Sequence, residues 1–139
     1  MRVVSDKKPV RVTDRPAMGV MSRPVVAVTL DTDPIEALRL LTTHRIRHLV
    51  VLDANGLCAG VLSDRAIAAA WAVDPFGLGR QQAGQLLGGE HATLAHQATV
   101  GQVARFMKDH GVDAVAIVDD LGLPVGVVTA KDLIDVLAA

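Results

Sequence analysis

Gly126-Val127-Val128-Thr129-Ala130-Lys131-Asp132-Leu133 reads as a buried strand that ends on a hydroxyl and runs straight into a helix. Val127 and Val128 are β-branched and favour the strand. Thr129 then sets its oxygen over the unpaired amides of the next turn, with Asp132 three residues on. Such a start has two uses. Thr-x-x-Asp matches a variant of the capping box and needs no ligand. The same hydroxyl, carboxylate and free amides also suit a sugar diol next to an anion.

Subtracting 66 from each position gives Gly60-Val61-Leu62-Ser63-Asp64-Arg65-Ala66-Ile67, with the glycine, apolar pair, hydroxyl and closing apolar residue repeated. The same offset, without a gap, pairs Arg39 with Arg105, His44 with His110, Asp53 with Asp119 and Gly56 with Gly122. Conservative pairs fill the spaces between them, such as Leu41 with Met107 and Val51 with Ile117. Chance does not hold register through strand, turn and helix signals, so the chain is two copies of one unit, about residues 20–73 and 86–139.

Within each copy the signals follow one order. Val25 to Val28 reads as a short strand, and Asp33-Pro34-Ile35-Glu36 opens a helix with a cap, a first-turn proline and a glutamate at the third position. Thr99-Val100-Gly101-Gln102 is the matching start in the second copy. Leu49 to Leu52 and Val115 to Val118 are unbroken apolar runs, as in strands covered on both faces. Turn residues at 53–56 and 119–122 lead to strands at 58–62 and 124–128, and helices follow from Ser63 and Thr129. Each unit is therefore β-α-β-β-α, and the fold class is α/β (α+β). The expected division is a polar tail or arm at 1–17, a first domain at 18–73, a linker at 74–85 and a second domain at 86–139.

The chain has 139 residues, half of them hydrophobic, and a formal charge of −1, so a substantial core is available and no net field draws nucleic acid or an anionic membrane. Two Phe, one Trp and no Tyr leave no platform for base stacking. Cys58 stands alone in an apolar strand and reads as a small core residue. No signal-peptide pattern or membrane-length apolar run is present, which makes the cytoplasm the expected location. His44 ends a helix and His48 starts a strand, while His91 and His96 lack neighbouring ligands, so no metal site is expected. No nucleophile sits on an activating turn, and the expectation is that the protein is not an enzyme.

Each copy resembles a cystathionine-β-synthase (CBS) domain, whose pattern runs from an apolar strand and helix through Val-Val-Asp to Gly-apolar-apolar-Ser/Thr-x-x-Asp. Two such domains normally pair about a pseudo-twofold axis as a Bateman module, and the likeness covers nearly everything after residue 19. Gly126, Thr129 and Asp132 match in full, but in the first copy Ala66 stands where the aspartate belongs. The resemblance implies a regulatory sensor with a cleft for an adenosine-type ligand: AMP, ADP, ATP or S-adenosylmethionine. It assigns ribose to Thr129 and Asp132, places Val112, Asp113 and Ala114 by the base, and makes Lys131, Arg45, Arg47 and His48 the candidates for phosphate. Ser63, Asp64 and Arg65 form a weaker second site. It further implies a homodimer, with Trp71 among the exposed helix residues, and output through an unknown effector protein. No cofactor is required. The alternative is a ligand-free structural or protein-interaction module.

Overall fold

The structure, a computed structural model, describes residues 11–87 and 91–139, and both copies take the same order of elements. The first unit runs β1 (Ala27–Thr29), α1 (Pro34–His44), β2 (His48–Leu52), β3 (Cys58–Ser63) and α2 (Asp64–Val73). The second runs β4 (Thr93–Ala95), α3 (Val100–His110), β5 (Ala114–Val118), β6 (Pro124–Thr129) and α4 (Ala130–Ala138). Each unit holds one three-stranded sheet, ordered β1-β2-β3 and β4-β5-β6. The outer strand pairs in parallel and the hairpin antiparallel. Val50 faces Val61 in one hairpin and Ala116 faces Val127 in the other, so the offset of 66 survives as identical strand register.

Local chemistry sets the helix limits. Asp33 caps α1 by accepting the Ile35 amide at 2.8 Å, with Pro34 in the first turn. Glu36 does not complete a capping box as the sequence suggests; its carboxylate instead accepts from the Arg39 guanidinium at 2.8 Å. The box does form at α3, where the Thr99 hydroxyl accepts the Gln102 amide at 3.2 Å and the Gln102 side chain accepts the Thr99 amide at 3.0 Å. Thr99→Ala is expected to cost about 1 kcal/mol in a urea titration, the usual value of such a cap. α1 and α3 both end on a left-handed residue, Arg45 and Gly111, with φ of 54° and 64°. Only the glycine takes that conformation without a Cβ penalty.

The approach to each unit packs on the other one. Met21 is buried in the second unit's core, and Ser22 and Val127 exchange backbone hydrogen bonds of 2.8 and 3.1 Å. Ala17 donates its amide to Ala98 at 2.9 Å. In mirror fashion, Leu78 and Ala83 lie in the first unit's core with Leu86 and Leu87 packed against it. The segment expected as a linker is thus core structure for the unit it leaves. Of the expected arm, residues 11–17 lie along the second unit, with a short 3-10 turn over Val12–Asp14 against α3, and residues 1–10 fall outside the described part.

Two cores, one per unit, are joined by a third made of Val50, Ala114, Ala116 and Val127, with Val61 and Cys58 packed against it. Val50 and Ala116 are fully buried, which is why β2 and β5 carry no polar residue at their centres. Burying each such valine contributes about 1.5–3 kcal/mol. Cys58 is a packing residue here, and burial pushes its thiol above the usual range.

Candidate functional site

At the β6–α4 junction, the Thr129 hydroxyl accepts the Asp132 amide at 3.2 Å and the Asp132 carboxylate accepts the Thr129 amide at 2.9 Å. The capping reading of the sequence is therefore realised in full. Asp132 has a further partner from the far end of the chain: the Ser22 hydroxyl donates to its two oxygens at 3.1 and 3.2 Å. A carboxylate offers about four lone-pair sites, so one amide and one shared hydroxyl leave it able to accept again.

Thr129 and Ser22 line a cleft of about 580 Å³, whereas Asp132, expected there with Thr129, is not among its lining residues and stands behind them as their hydrogen-bond partner. Thr129, Ala130 and Lys131 form one wall, and Arg45, Ile46, Arg47 and His48, from the turn between α1 and β2, form another. Pro24, Val25 and Val26 supply apolar surface. Among the described residues, neither Arg45 nor Arg47 has a side-chain hydrogen bond or ion pair, so both guanidinium groups are available. Lys131 is committed: its ammonium donates to Asp135 at 2.8 Å, and that bond and charge hold its pKa above the usual lysine value.

A second cleft of about 660 Å³ lies at the matching junction of the first unit. Ser63, Arg65 and Ala66 start one wall, and Gly111, Val112, Asp113 and Ala114 face them. Ser63 accepts the Ala66 amide at 3.1 Å, but alanine cannot return the favour, so only half a capping box exists there.

The two clefts are crossed, since each helix start faces the helix–strand turn of the opposite unit. That arrangement brings Thr129 into one cleft with Arg45, Arg47 and His48. It places Val112 and Ala114 elsewhere. Expected by the base beside Thr129, they line the Ser63 cleft, and their equivalents Ile46 and His48 take the position near Thr129. Asp113 lines both clefts, as does His48, and the imidazole and carboxylate meet at 2.9 Å in the shared wall. Asp64 is the first residue of α2 and does not line the Ser63 cleft. Ser22, Val25, Val26 and Ile46 were not foreseen. Ile46 and Ser22 sit at readable positions in the sequence, but nothing local announces that the Met21–Ser22 segment crosses to the second unit.

Elsewhere His96 bonds Asp120 at 2.9 Å, an exposed pair that holds the carboxyl below its ordinary range, and His91 lies against the Ala59 carbonyl. Among the described residues, no three His, Cys, Asp or Glu side chains gather as metal ligands. None of the helices there is long and apolar enough to cross a membrane.

The family model for the CBS domain matches residues 17–72 and 90–139. L-aspartate semialdehyde sulfurtransferase of Methanocaldococcus jannaschii is 25% identical over 93% of this chain, and the magnesium transporter MgtE of Thermus thermophilus is 31% identical over 88% of it. The chain spans about a quarter of either relative's length, 24% and 27%. A CBS domain pair solved in complex with 5′-methylthioadenosine and S-adenosyl-L-methionine superposes with a TM-score of 0.78 at 24% identity, covering 88% of this chain and 95% of that one.

Proposed function

The chain belongs to the CBS-domain family, and on that premise we propose that it is a non-enzymatic sensor of an adenosine-type ligand held in the cleft at Thr129. One observation carries this reading: Thr129 and Ser22, the two residues whose groups hydrogen-bond the Asp132 carboxylate, line a single cleft with two uncommitted guanidinium groups, Arg45 and Arg47. A volume near 580 Å³ falls in the range of about 300–1,000 Å³ usual for small-molecule pockets. The ribose hydroxyls donate to Asp132 beside Ser22, the base lies on Val25, Val26 and Ile46, and a phosphate meets Arg45 and Arg47 with His48 near it. The solved pair with methylthioadenosine and S-adenosylmethionine supports an adenosyl group as the shared element.

Because the cleft walls come from both units, a bound ligand ties the start of α4 to the α1–β2 turn. It shifts the angle between units only so far as it binds the two arrangements unequally. Thermal shift against AMP, ADP, ATP and S-adenosylmethionine tests the reading, with about 2.7 kcal/mol of added stability expected at 100 times the dissociation constant. A second reading, a module that works without ligand, is favoured by the complete engagement of Thr129 and Asp132 in capping. No shift with any of the four compounds would select it.

The output passes to a separate effector protein, and the module works as a homodimer. Ile134 and Leu137 on α4 and Trp71 on α2 are 63%, 70% and 57% exposed, a large apolar surface for helices of this kind. Light scattering is expected to give twice the monomer mass, and Trp71→Glu with Leu137→Glu to halve it. A monomer at every concentration would remove the dimer from the proposal.

A further inference from the structure

We propose that the Ser22 hydroxyl is a built-in competitor for the Asp132 carboxylate, so that a ligand reaching this acid from the Thr129 cleft displaces the hydroxyl and loosens the segment leading into the first unit. The proposal rests on the adenosine reading of that cleft and adds a regulation of the same site.

Ser22 stands between the cleft and the acid. It lines the cleft and is exposed, whereas Asp132 is half-buried and does not line it. The hydroxyl carries one proton, and both carboxylate oxygens share it, at 3.1 and 3.2 Å. One of those oxygens also accepts the Thr129 amide at 2.9 Å. A cis diol uses both oxygens together, one for each of its hydroxyls, and the Ser22 hydroxyl bridges the same two atoms. The acid keeps lone pairs to spare, but the way to them from the cleft runs past Ser22.

The fold does not need this bond. At the offset of 66, Ser22 corresponds to Gly88, outside the described residues, and Asp132 to Ala66, so the counterpart positions carry neither group. α2 nonetheless forms on Ser63 alone. A hydrogen bond found at one of two matching junctions, with both partners missing at the other, belongs to what that junction does rather than to how it folds. Ser22 also ends a docked segment. Its backbone exchanges bonds of 2.8 and 3.1 Å with Val127, Met21 is buried against Gly126, and Ala17 donates to Ala98 at 2.9 Å. Further back the Arg15 carbonyl accepts the amide of Val100, the first residue of α3, at 2.8 Å, so the segment connects the cleft to the start of α3. Linkage makes the effect reciprocal: if the ligand weakens docking of the segment, weaker docking strengthens the ligand by the same factor.

Isothermal titration of the full chain with AMP reads the sign of the effect. Ser22→Ala removes the competitor and is expected to tighten AMP about threefold to tenfold, the worth of one net hydrogen bond. A Ser22 that held the ligand would give weaker binding, and one that served only packing would give no change. Amide hydrogen exchange follows the segment. Saturating AMP is expected to speed exchange at Ser22 and Val127 about threefold or more in the natural chain and to leave it nearly unchanged in Ser22→Ala. Without ligand, Ser22→Ala, Asp132→Ala and the double variant are expected to exchange these two amides equally fast, because each change breaks the same bond. Equal or weaker AMP binding by Ser22→Ala, exchange that AMP does not speed, or strictly additive rates in the ligand-free variants would overturn the proposal and leave the adenosine reading standing. No AMP binding by either protein would overturn both.

Discussion

AMP binding is expected to weaken about 10- to 150-fold when Asp132 becomes alanine, the equivalent of about 1.5–3 kcal/mol for hydrogen bonds to a charged acceptor. Isothermal titration reads this directly. The same change removes an acceptor from the Thr129 amide and from Ser22, so about 1 kcal/mol of stability goes with it. That loss does not unfold the helix, because the first unit already shows the outcome: α2 forms on Ser63 alone with Ala66 at the corresponding position. Asp132→Asn separates the two roles by keeping a cap acceptor while removing the charge. It is expected to hold most of the stability and to bind AMP with intermediate affinity. Affinity unchanged in both variants would mean that the acid serves only the helix.

Gly126→Val is expected to lower stability by about 3 kcal/mol, near the upper end for overpacking, and the melting temperature by roughly 10 °C. A Cβ at this position would lie 2.3 Å from the Met21 sulfur and 3.1 Å from its Cβ, so more than the tip of a flexible side chain has to move. The strand itself is not the obstacle, since Gly126 is needed for close approach of the crossing segment rather than for an unusual φ. Met21→Ala opens that space, and the double variant is expected to recover part of the loss, a non-additivity that reports the contact. Strictly additive effects would show that the arm does not rest on Gly126. The experiment also probes function, because Ser22 follows Met21 and reaches the Asp132 carboxylate only while the segment stays docked.

The element order, the repeat and the helix caps at Thr99, Ser63 and Thr129 were legible because each depends on residues within a few positions of one another. Periodicity, a hydroxyl before a helix and glycine after one are short-range signals, and the offset of 66 made every such signal count twice. Glu36 shows the limit even at short range: a capping-box pattern yielded to a better partner, Arg39, one turn away. The assignment of Val112 and Ala114 to the Thr129 cleft went astray for a different reason. Ala114 pairs with Thr129 in the same hairpin and Val112 lies just before it, and only the crossing of the two units decides which helix start they face.

By itself, then, the chain's order of residues determined two β-α-β-β-α units and a hydroxyl–acid corner intact in one of them. The tertiary structure alone decided that Met21 and Leu87 are exchanged between units, that Ser22 meets Asp132 across 110 residues, and that His48 and Asp113 form one wall for two clefts. The reason is physical: hydrogen bonds along a helix or hairpin are set by local spacing, whereas a cleft between repeats is set by which apolar faces bury each other. Val50, Ala116 and Val127 make that choice only once both sheets exist.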